Sequence, residues 1–146
     1  MKTSAIGILL VKTFEGYRDE AYICPGGKWT IGYGHTKNVK QGDTCTQSEA
    51  EEYLKEDLKV AEDAINAQGL SLSQQQFDAL VSFVYNIGTG NFQSSTLLKR
   101  LRQDTEDYET LEYEWKRWKY SNKQVLKGLV RRRAAEWSLY KNGFFS

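Results

Sequence analysis

The segment CPGGKWTIGYGHT, Cys24 to Thr36, holds four glycines, the only proline and the only histidine of the chain within thirteen residues. Gly32 and Gly34 alternate along it, so one face of an extended backbone would carry no side chains there. Close approach of another backbone or of a ligand is the usual reason for such a bare face. From Ala21 to Tyr33 the Tyr, Ile, Trp and Thr residues fall between glycines without a helical period, which predicts a hairpin or small sheet. No helix carrying Lys-Ser/Thr follows the glycines, so the stretch is not a phosphate loop.

Helical patterns flank the segment on both sides. Upstream, Ile6, Leu9, Leu10, Thr13 and Phe14 share one face of a helix that stops at the Glu15-Gly16 pair. Downstream, Thr46 and Glu49 form a capping box that opens a helix expected over Gln47 to Gln68, with Ala50, Tyr53, Leu54, Leu58, Ala61 and Ile65 facing inward. At about 1.5 Å per residue it spans roughly 30 Å, enough to join two lobes and leave a cleft between them. Ser73 and Gln76 make a second capping box ahead of Phe77, Leu80, Val81, Val84 and Ile87, a helix closed by Gly88 and Gly90. Shorter helices are expected at Thr96 to Arg102 and at Glu106 to Lys119, the second with Tyr108, Leu111, Trp115 and Trp118 on one face. A last helix is expected over Lys127 to Tyr140 with Leu129, Val130, Trp137 and Tyr140 inward. The pattern is α+β: one helix, a small sheet, then a helical lobe.

Composition narrows the function classes. The chain has 146 residues, 40% apolar and 27% charged, which suits one domain with a real core. The net charge of +1 hides a split: eight acids against two lysines from Asp43 to Asp63, and eight Lys/Arg with no acid from Trp115 to Arg133. The basic stretch interleaves aromatics with cations, which suits a solvated helix face, a polyanionic envelope or single-stranded nucleic acid. Two cysteines, Cys24 and Cys45, make no disulfide framework, and a single histidine with no metal-ligand spacing makes no zinc site. The apolar run Ala5 to Val11 is only seven residues long before Lys12, too short for a membrane span, and no cleavage site follows it. No signal peptide or anchor is expected, which reads as a cytoplasmic product.

Two carboxylates stand out. Glu15 lies at the C-terminal end of the first helix, where the negative pole of the helix dipole disfavours its ionised form unless a cation compensates. That setting suits a general acid, although an exposed end-of-helix glutamate fits as well. Asp57 lies between Leu54 and Ala61, near the apolar stripe of the connecting helix, and needs a partner. His35, which closes the glycine-rich hairpin, is the candidate, in a structural pair tying sheet to helix.

Glu15, Cys24 nine residues on and Thr30 six further, followed at once by IGYGHT, resemble the phage-type lysozymes, glycoside hydrolase family 24. The resemblance continues through TQSEAEEYLKEDL and FDALVSFVYNIGTGNFQSSTLLKRL to GLVRRRAAEWSLY, essentially the whole chain. It implies a lysozyme-like α+β fold. A three-stranded antiparallel sheet lobe at about residues 15–60 would join a helical lobe at about 70–146 plus the N-terminal helix, in one domain. It implies an endolysin that hydrolyses the β-1,4 bond between N-acetylmuramic acid and N-acetylglucosamine of peptidoglycan, without metal or cofactor. Glu15 would be the general acid, Thr30 would position water or stabilise the transition state, and His35–Asp57 would be structural. Tyr85, Asn86 and Trp118 would line the cleft. One of Arg131 to Arg133 would approach Glu15, and Arg131 is taken for that role. A monomer is expected, contacting an anionic envelope through the basic stretch, with no nucleic acid. It would be held in the host cytoplasm until holin-dependent permeabilisation.

The departure from the family is at Cys24, where most members carry aspartate. Two carboxylates normally share the hydrolysis, one protonating the leaving oxygen and one activating water. A thiol with a pKa near 8.5 is only a few per cent thiolate at neutral pH. Cys24 therefore reads as a base or electrostatic group (the reading preferred here), as a nucleophile that would turn inversion into retention, or as an inert filler. A Cys24–Cys45 disulfide is not expected. A peptidoglycan-binding module with weakened catalysis is the alternative that the loss of the second acid would permit.

Overall fold

The computed structural model describes residues 1–146. Helix α1 (Ala5–Glu15) leads into a hairpin of β1 (Arg18–Ile23) and β2 (Trp29–Gly32). Helices α2 (Gln47–Asn66), α3 (Gln74–Ile87), α4 (Thr89–Ser94), α5 (Thr96–Gln103) and α6 (Tyr108–Lys116) follow. A second, two-residue-per-strand hairpin, β3 (Tyr120–Ser121) and β4 (Gln124–Val125), precedes the last helix, α7 (Lys127–Asn142).

The hairpin predicted around CPGGKWTIGYGHT is present, antiparallel, with Tyr22 opposite Thr30 and an irregular register between Arg18 and Tyr22. The expected third strand is reduced to a bridge between Glu20 and Thr44, fixed by Ala21 N–H to the Asp43 carbonyl and Cys45 N–H to the Asp19 carbonyl, both 2.9 Å. The chain makes these bonds just before Thr46 turns into α2, so there is no length for a fuller strand. Both capping boxes form. Thr46 Oγ1 accepts from Glu49 N–H at 3.1 Å, and Ser73 Oγ accepts from Gln76 N–H at 3.2 Å. Each of these caps is worth about 1 kcal/mol.

Helix α3 is the axis of the molecule: α1, α2, α4 and α7 all pack on it, α7 most extensively. Phe77, Ala79, Leu80, Val81 and Phe83 are completely buried on it. One apolar cluster runs from Ile31, Tyr33 and Cys45 beside the hairpin, through Leu54 and Leu58 of α2, to Trp115, Trp137 and Tyr140. Helix α1 approaches α3 closely because residue 7 is glycine. A Cβ there would lie 2.8 Å from the Asp78 side chain. The segment before α1 is tied down: Met1 bonds Asn66, Thr3 bonds Glu62, and Ser4 N–H and Oγ both donate to the Asp78 carboxylate.

Three helix faces differ from expectation. Ile6 and Leu9 are 48% and 54% exposed, and the inward residues of α1 are Gly7, Leu10 and Val11. Val130 is likewise exposed, because α7 turns Arg132, Arg133 and Glu136 into the interior. Helix α6 ends at Lys116, leaving Trp118 in the turn that follows. For α1 and α7 an apolar count placed the stripe, while the real seam was set by a glycine contact and by a buried ionic cluster. No helix is long and apolar enough to cross a membrane.

Candidate active site

Glu15 is the last residue of α1, and Gly16, at φ +72°, turns the chain away while its N–H caps the Lys12 carbonyl at 3.0 Å. The carboxylate is partly exposed, and its Oε2 accepts a hydrogen bond of 2.7 Å from Arg132 Nη1. This cation compensates the helix pole, so the uncompensated helix-end carboxylate of the sequence reading is not what the structure contains. The arginine is Arg132; Arg131 lines the same cavity without reaching Glu15. The sequence reading was off by one residue. Successive residues on a helix point about 100° apart, so only one of the three arginines can face α1.

Arg132 is held from behind. Its Nε donates to Glu136 Oε2 at 3.2 Å and its Nη2 to the Ser82 carbonyl at 3.3 Å. Glu136 is wholly buried and also accepts from Ser82 Oγ at 2.6 Å, Trp115 Nε1 at 3.1 Å and Arg133 Nη2 at 3.0 Å. Arg133 Nε lies 2.8 Å from Glu136 Oε1 but is not aligned to donate, and it finds no other acceptor. A buried charge left single is strongly destabilising, so two arginines around one glutamate make a cluster that resists losing any member. Sequence reasoning missed Ser82 and Glu136. The signal was available in the spacing, since Arg132 and Arg133 stand four and three residues before Glu136, as i,i+4 and i,i+3 pairs.

The other oxygen of Glu15 faces the bare side of the hairpin. A Cβ on Gly34 would lie 2.9 Å from Glu15 Oε1 and 3.4 Å from the Tyr85 hydroxyl, and Gly34 has φ +86°. Both facts demand glycine. Tyr85 donates to the Tyr33 carbonyl at 3.2 Å, and burial first, then the nearby Glu15 charge, pushes its hydroxyl well above the ordinary tyrosine range. Asn86 is exposed and lines a cavity of about 720 Å³ together with Glu15, Phe14, Lys127, Arg131 and Arg132. Trp118 is not brought there: it packs edge-on against Phe83 with centroids 6.1 Å apart, and its carbonyl accepts from Arg133.

Cys24 sits directly after β1, half-buried, in a tight turn where its N–H donates to the Lys28 carbonyl at 3.0 Å and its carbonyl accepts from Gly27 N–H at 2.8 Å. The neighbouring Thr30 hydroxyl, and then the turn's backbone, lower the thiol below the ordinary cysteine value. That hydroxyl has a single proton, donated to the Lys28 carbonyl at 3.0 Å in this geometry. Rotation toward the sulfur would let the hydroxyl donate to the thiolate instead. Thr30 itself is 3% exposed. Cys45 is a free, buried thiol, raised by burial.

His35 Nδ1 lies 2.8 Å from Asp57 Oδ2, and the imidazole stacks on Tyr53 with centroids 4.4 Å apart. Burial pushes the Asp57 carboxyl up, against the opposing pull of His35. The pair joins the end of the glycine hairpin to the middle of α2, and so fixes the hairpin face that Glu15 looks onto. No cluster of three or more His, Cys, Asp or Glu side chains is placed to hold a metal.

A helix-end carboxylate, a paired arginine and a glycine-faced hairpin across a cleft make a site suited to acid-assisted cleavage of an extended polymer. The phage lysozyme family model matches residues 12–136. The chain is 42% identical to the endolysin of Acyrthosiphon pisum secondary endosymbiont phage 1, over 97% of this chain and 99% of that one. It is also 42% identical to the endolysin of Bacillus phage PZA, spanning 56% of that protein's length. Among solved structures, the endolysin of Escherichia coli O157:H7 phage FAHEc1 superposes with a TM-score of 0.89 at 33% identity, covering 100% of this chain and 97% of that one. The muramidase domain of SpmX from Asticaccaulis excentricus gives 0.88 at 40% identity, covering 95% and 97%. The chain belongs to the phage lysozyme family, and so is a glycoside hydrolase of the muramidase kind.

Proposed function

We propose that this chain is an endolysin whose Glu15 protonates the leaving oxygen of the β-1,4 bond between N-acetylmuramic acid and N-acetylglucosamine. The observation that carries the assignment is the division of labour between the two oxygens of Glu15. Oε2 is taken by Arg132 at 2.7 Å, and Oε1 faces the glycine side of the cleft, where a glycan can approach. The proton leaves Oε1 as the C1–O bond breaks, and charge develops on the sugar ring.

Cys24 supplies the other half of the reaction. As thiolate it accepts a proton from water while the water oxygen bonds C1 from the opposite face, giving inversion. Attack by sulfur itself would give retention instead. The lowered thiol and the rotatable Thr30 hydroxyl support the base or electrostatic reading. Asn86 and Tyr85 flank the scissile position. Arg131 faces the same cavity, and Trp118 supports the helical wall behind it.

We read the chain as one domain of two lobes joined by α2. Its partner is peptidoglycan, with envelope anions meeting the exposed cations near α7. It would be monomeric and would reach the wall once the inner membrane has been permeabilised. Clearance of permeabilised cells tests the activity. Glu15→Gln should lower it by about 10²–10⁴-fold, the usual worth of general acid catalysis, and parental clearance by this variant would refute the assignment. Anomer analysis of fresh products by NMR separates inversion from retention and so decides the role of sulfur.

A further inference from the structure

Most aromatic side chains of the protein are turned inward. Of four Trp, nine Tyr and six Phe, only Tyr113, Tyr120 and Phe144 are more than half exposed. Tyr113 and Tyr120, at 66% and 57% exposure, line one open cavity of about 620 Å³ where α6 passes into the β3–β4 hairpin, with Lys116, Arg117 and Lys119 beside them. Arg117 Cζ lies 5.8 Å from the Tyr113 ring centre and Lys119 Nζ 5.8 Å from that of Tyr120, so each ring has a cation over it. Val125 stands directly opposite Tyr120 in the hairpin, which puts both side chains on one face, and it too is more than half exposed.

The tip of this hairpin is as unusual as its face. Asn122 and Lys123 have φ of +49° and +65°, in a two-residue turn for which Asn-Gly is the favoured pair. Lys123 is the only residue of the chain with positive φ that is neither glycine nor asparagine. Glycine would hold the turn with less strain, so the ammonium at the tip is not there for the fold. Both strands and both turn residues are exposed, and the hairpin stands clear of the body. Glu112 and Glu114 are taken by Lys116 and Arg117, which leaves Lys119 and Lys123 to give the face its charge.

We propose that the β3–β4 hairpin and the end of α6 form a docking face for an anionic phospholipid bilayer. A groove that stacks a base or a sugar presents open ring faces. Here a cation lies in front of each exposed ring, so ring and anion are met together. That matches the headgroup zone of an anionic bilayer, where tyrosine rings lie at the level of the lipid phosphates and basic side chains meet them. Val125 beside Tyr120 adds aliphatic surface, which the acyl boundary rewards and a nucleic-acid backbone does not. Such a face narrows the envelope contact proposed above to one surface and rests on that reading. Vesicle binding needs no murein, so it can fail without the muramidase assignment failing.

Vesicle flotation tests it, with bilayers of phosphatidylcholine alone or mixed with phosphatidylglycerol. Wild type should float with the mixed vesicles, stay behind with the neutral ones, and be released by salt. Each cation at an anionic surface is worth about a fivefold change in partitioning, so K119Q/K123Q should bind about 25-fold more weakly and each single variant about fivefold. Y120S/V125S keeps every charge and should still bind about fivefold more weakly, the scale of a small apolar area withdrawn from the interface. K2Q/K40Q removes two exposed lysines elsewhere and should bind within about twofold of wild type, because the headgroup field fades within a Debye length of the surface. Circular dichroism verifies that each variant is folded. Failure of wild type to bind the mixed vesicles overturns the proposal. Equal losses in K2Q/K40Q and K119Q/K123Q overturn it as well, since net charge alone would then act, and so does wild-type binding by Y120S/V125S. Retention on immobilised teichoic acid or on a single-stranded oligonucleotide that depends on Lys119 and Lys123, without vesicle binding, would give the face to that polymer and sink the bilayer assignment.

Discussion

The guanidinium of Arg132 and the carboxylate of Glu15 meet at 2.7 Å although 117 residues separate them in the chain. The contact links the last helix to the end of the first, and behind it stands the buried carboxylate of Glu136. Arg132→Gln should therefore cost about 3 kcal/mol, because it leaves part of a buried ionic cluster uncompensated. Urea denaturation would read this as a lowered midpoint. Arg132→Lys should recover only part of it, since an ammonium lacks the fork that bridges Glu15, Ser82 and Glu136 at once. Equal stability of the Gln variant and wild type would contradict the cluster described above.

Alkylation kinetics should distinguish the two cysteines. Thr30 and the turn around Lys28 lower the Cys24 thiol, so its thiolate forms at lower pH than that of an ordinary cysteine. Burial raises the Cys45 thiol and shields it. Iodoacetamide labelling followed by peptide mass spectrometry should modify Cys24 first at every pH between about 6 and 9, around the ordinary thiol value. Thr30→Val should move the Cys24 profile upward in pH and leave Cys45 unchanged. A Cys24 profile that Thr30→Val does not shift would remove the threonine from the account of that thiol.

Glycine at position 34 is required twice over, by its φ of +86° and by the Glu15 oxygen 2.9 Å from where a Cβ would sit. Gly34→Ala should lower clearance by at least about tenfold through displacement of Glu15, while costing about 1–2 kcal/mol in stability. Gly69→Ala is the matched comparison, because its φ is +65° and its space is open. It should carry a similar conformational cost with activity retained. Comparable activity in both variants would mean that Glu15 is not crowded by the hairpin.

Asp57 gives a pH-dependent signature. Burial raises its folded-state carboxyl above the unfolded value, the larger effect, while His35 pulls the other way. A raised folded pKa means that the folded protein binds the proton more tightly than the unfolded chain. The corresponding stability is complete below the unfolded pKa and is lost as pH rises through the folded one. The stability of wild type relative to Asp57→Asn should thus decline as pH rises above the ordinary aspartate value of about 3.9. Thermal melts of the two proteins from that pH upward would show it, and a difference that grew with pH would reverse the assignment of burial as the dominant cause.

Much of this architecture was legible because local rules carried it. The two capping boxes, at Thr46–Glu49 and Ser73–Gln76, depend on residues three apart and form as read. The hairpin followed from its glycines, and Asp57 was visible as a carboxylate near the apolar stripe, with His35 now found 2.8 Å away. What escaped is non-local. Burial of Arg132, Arg133 and Glu136 depends on α3 offering Ser82 to α7, and no window of sequence contains both. Hydrophobic counting then turned Val130 inward and Ile6 and Leu9 likewise, when ionic packing and the Gly7–Asp78 contact set those faces. The β3–β4 hairpin was hidden because each of its strands is two residues long, below any periodicity.

The distance in sequence between the two ends of the Glu15–Arg132 bond has a bearing on synthesis. While the ribosome is still making the middle of the chain, α1 and the hairpin lack the α2 and α3 surfaces they pack on, and a lone short helix or two-stranded hairpin is marginal in water. The acid likewise has no arginine to hold it until α7 has been translated and has docked on α3. A nascent chain is in this way an unarmed one, and a truncated translation product would have the glutamate without the cation that orients it.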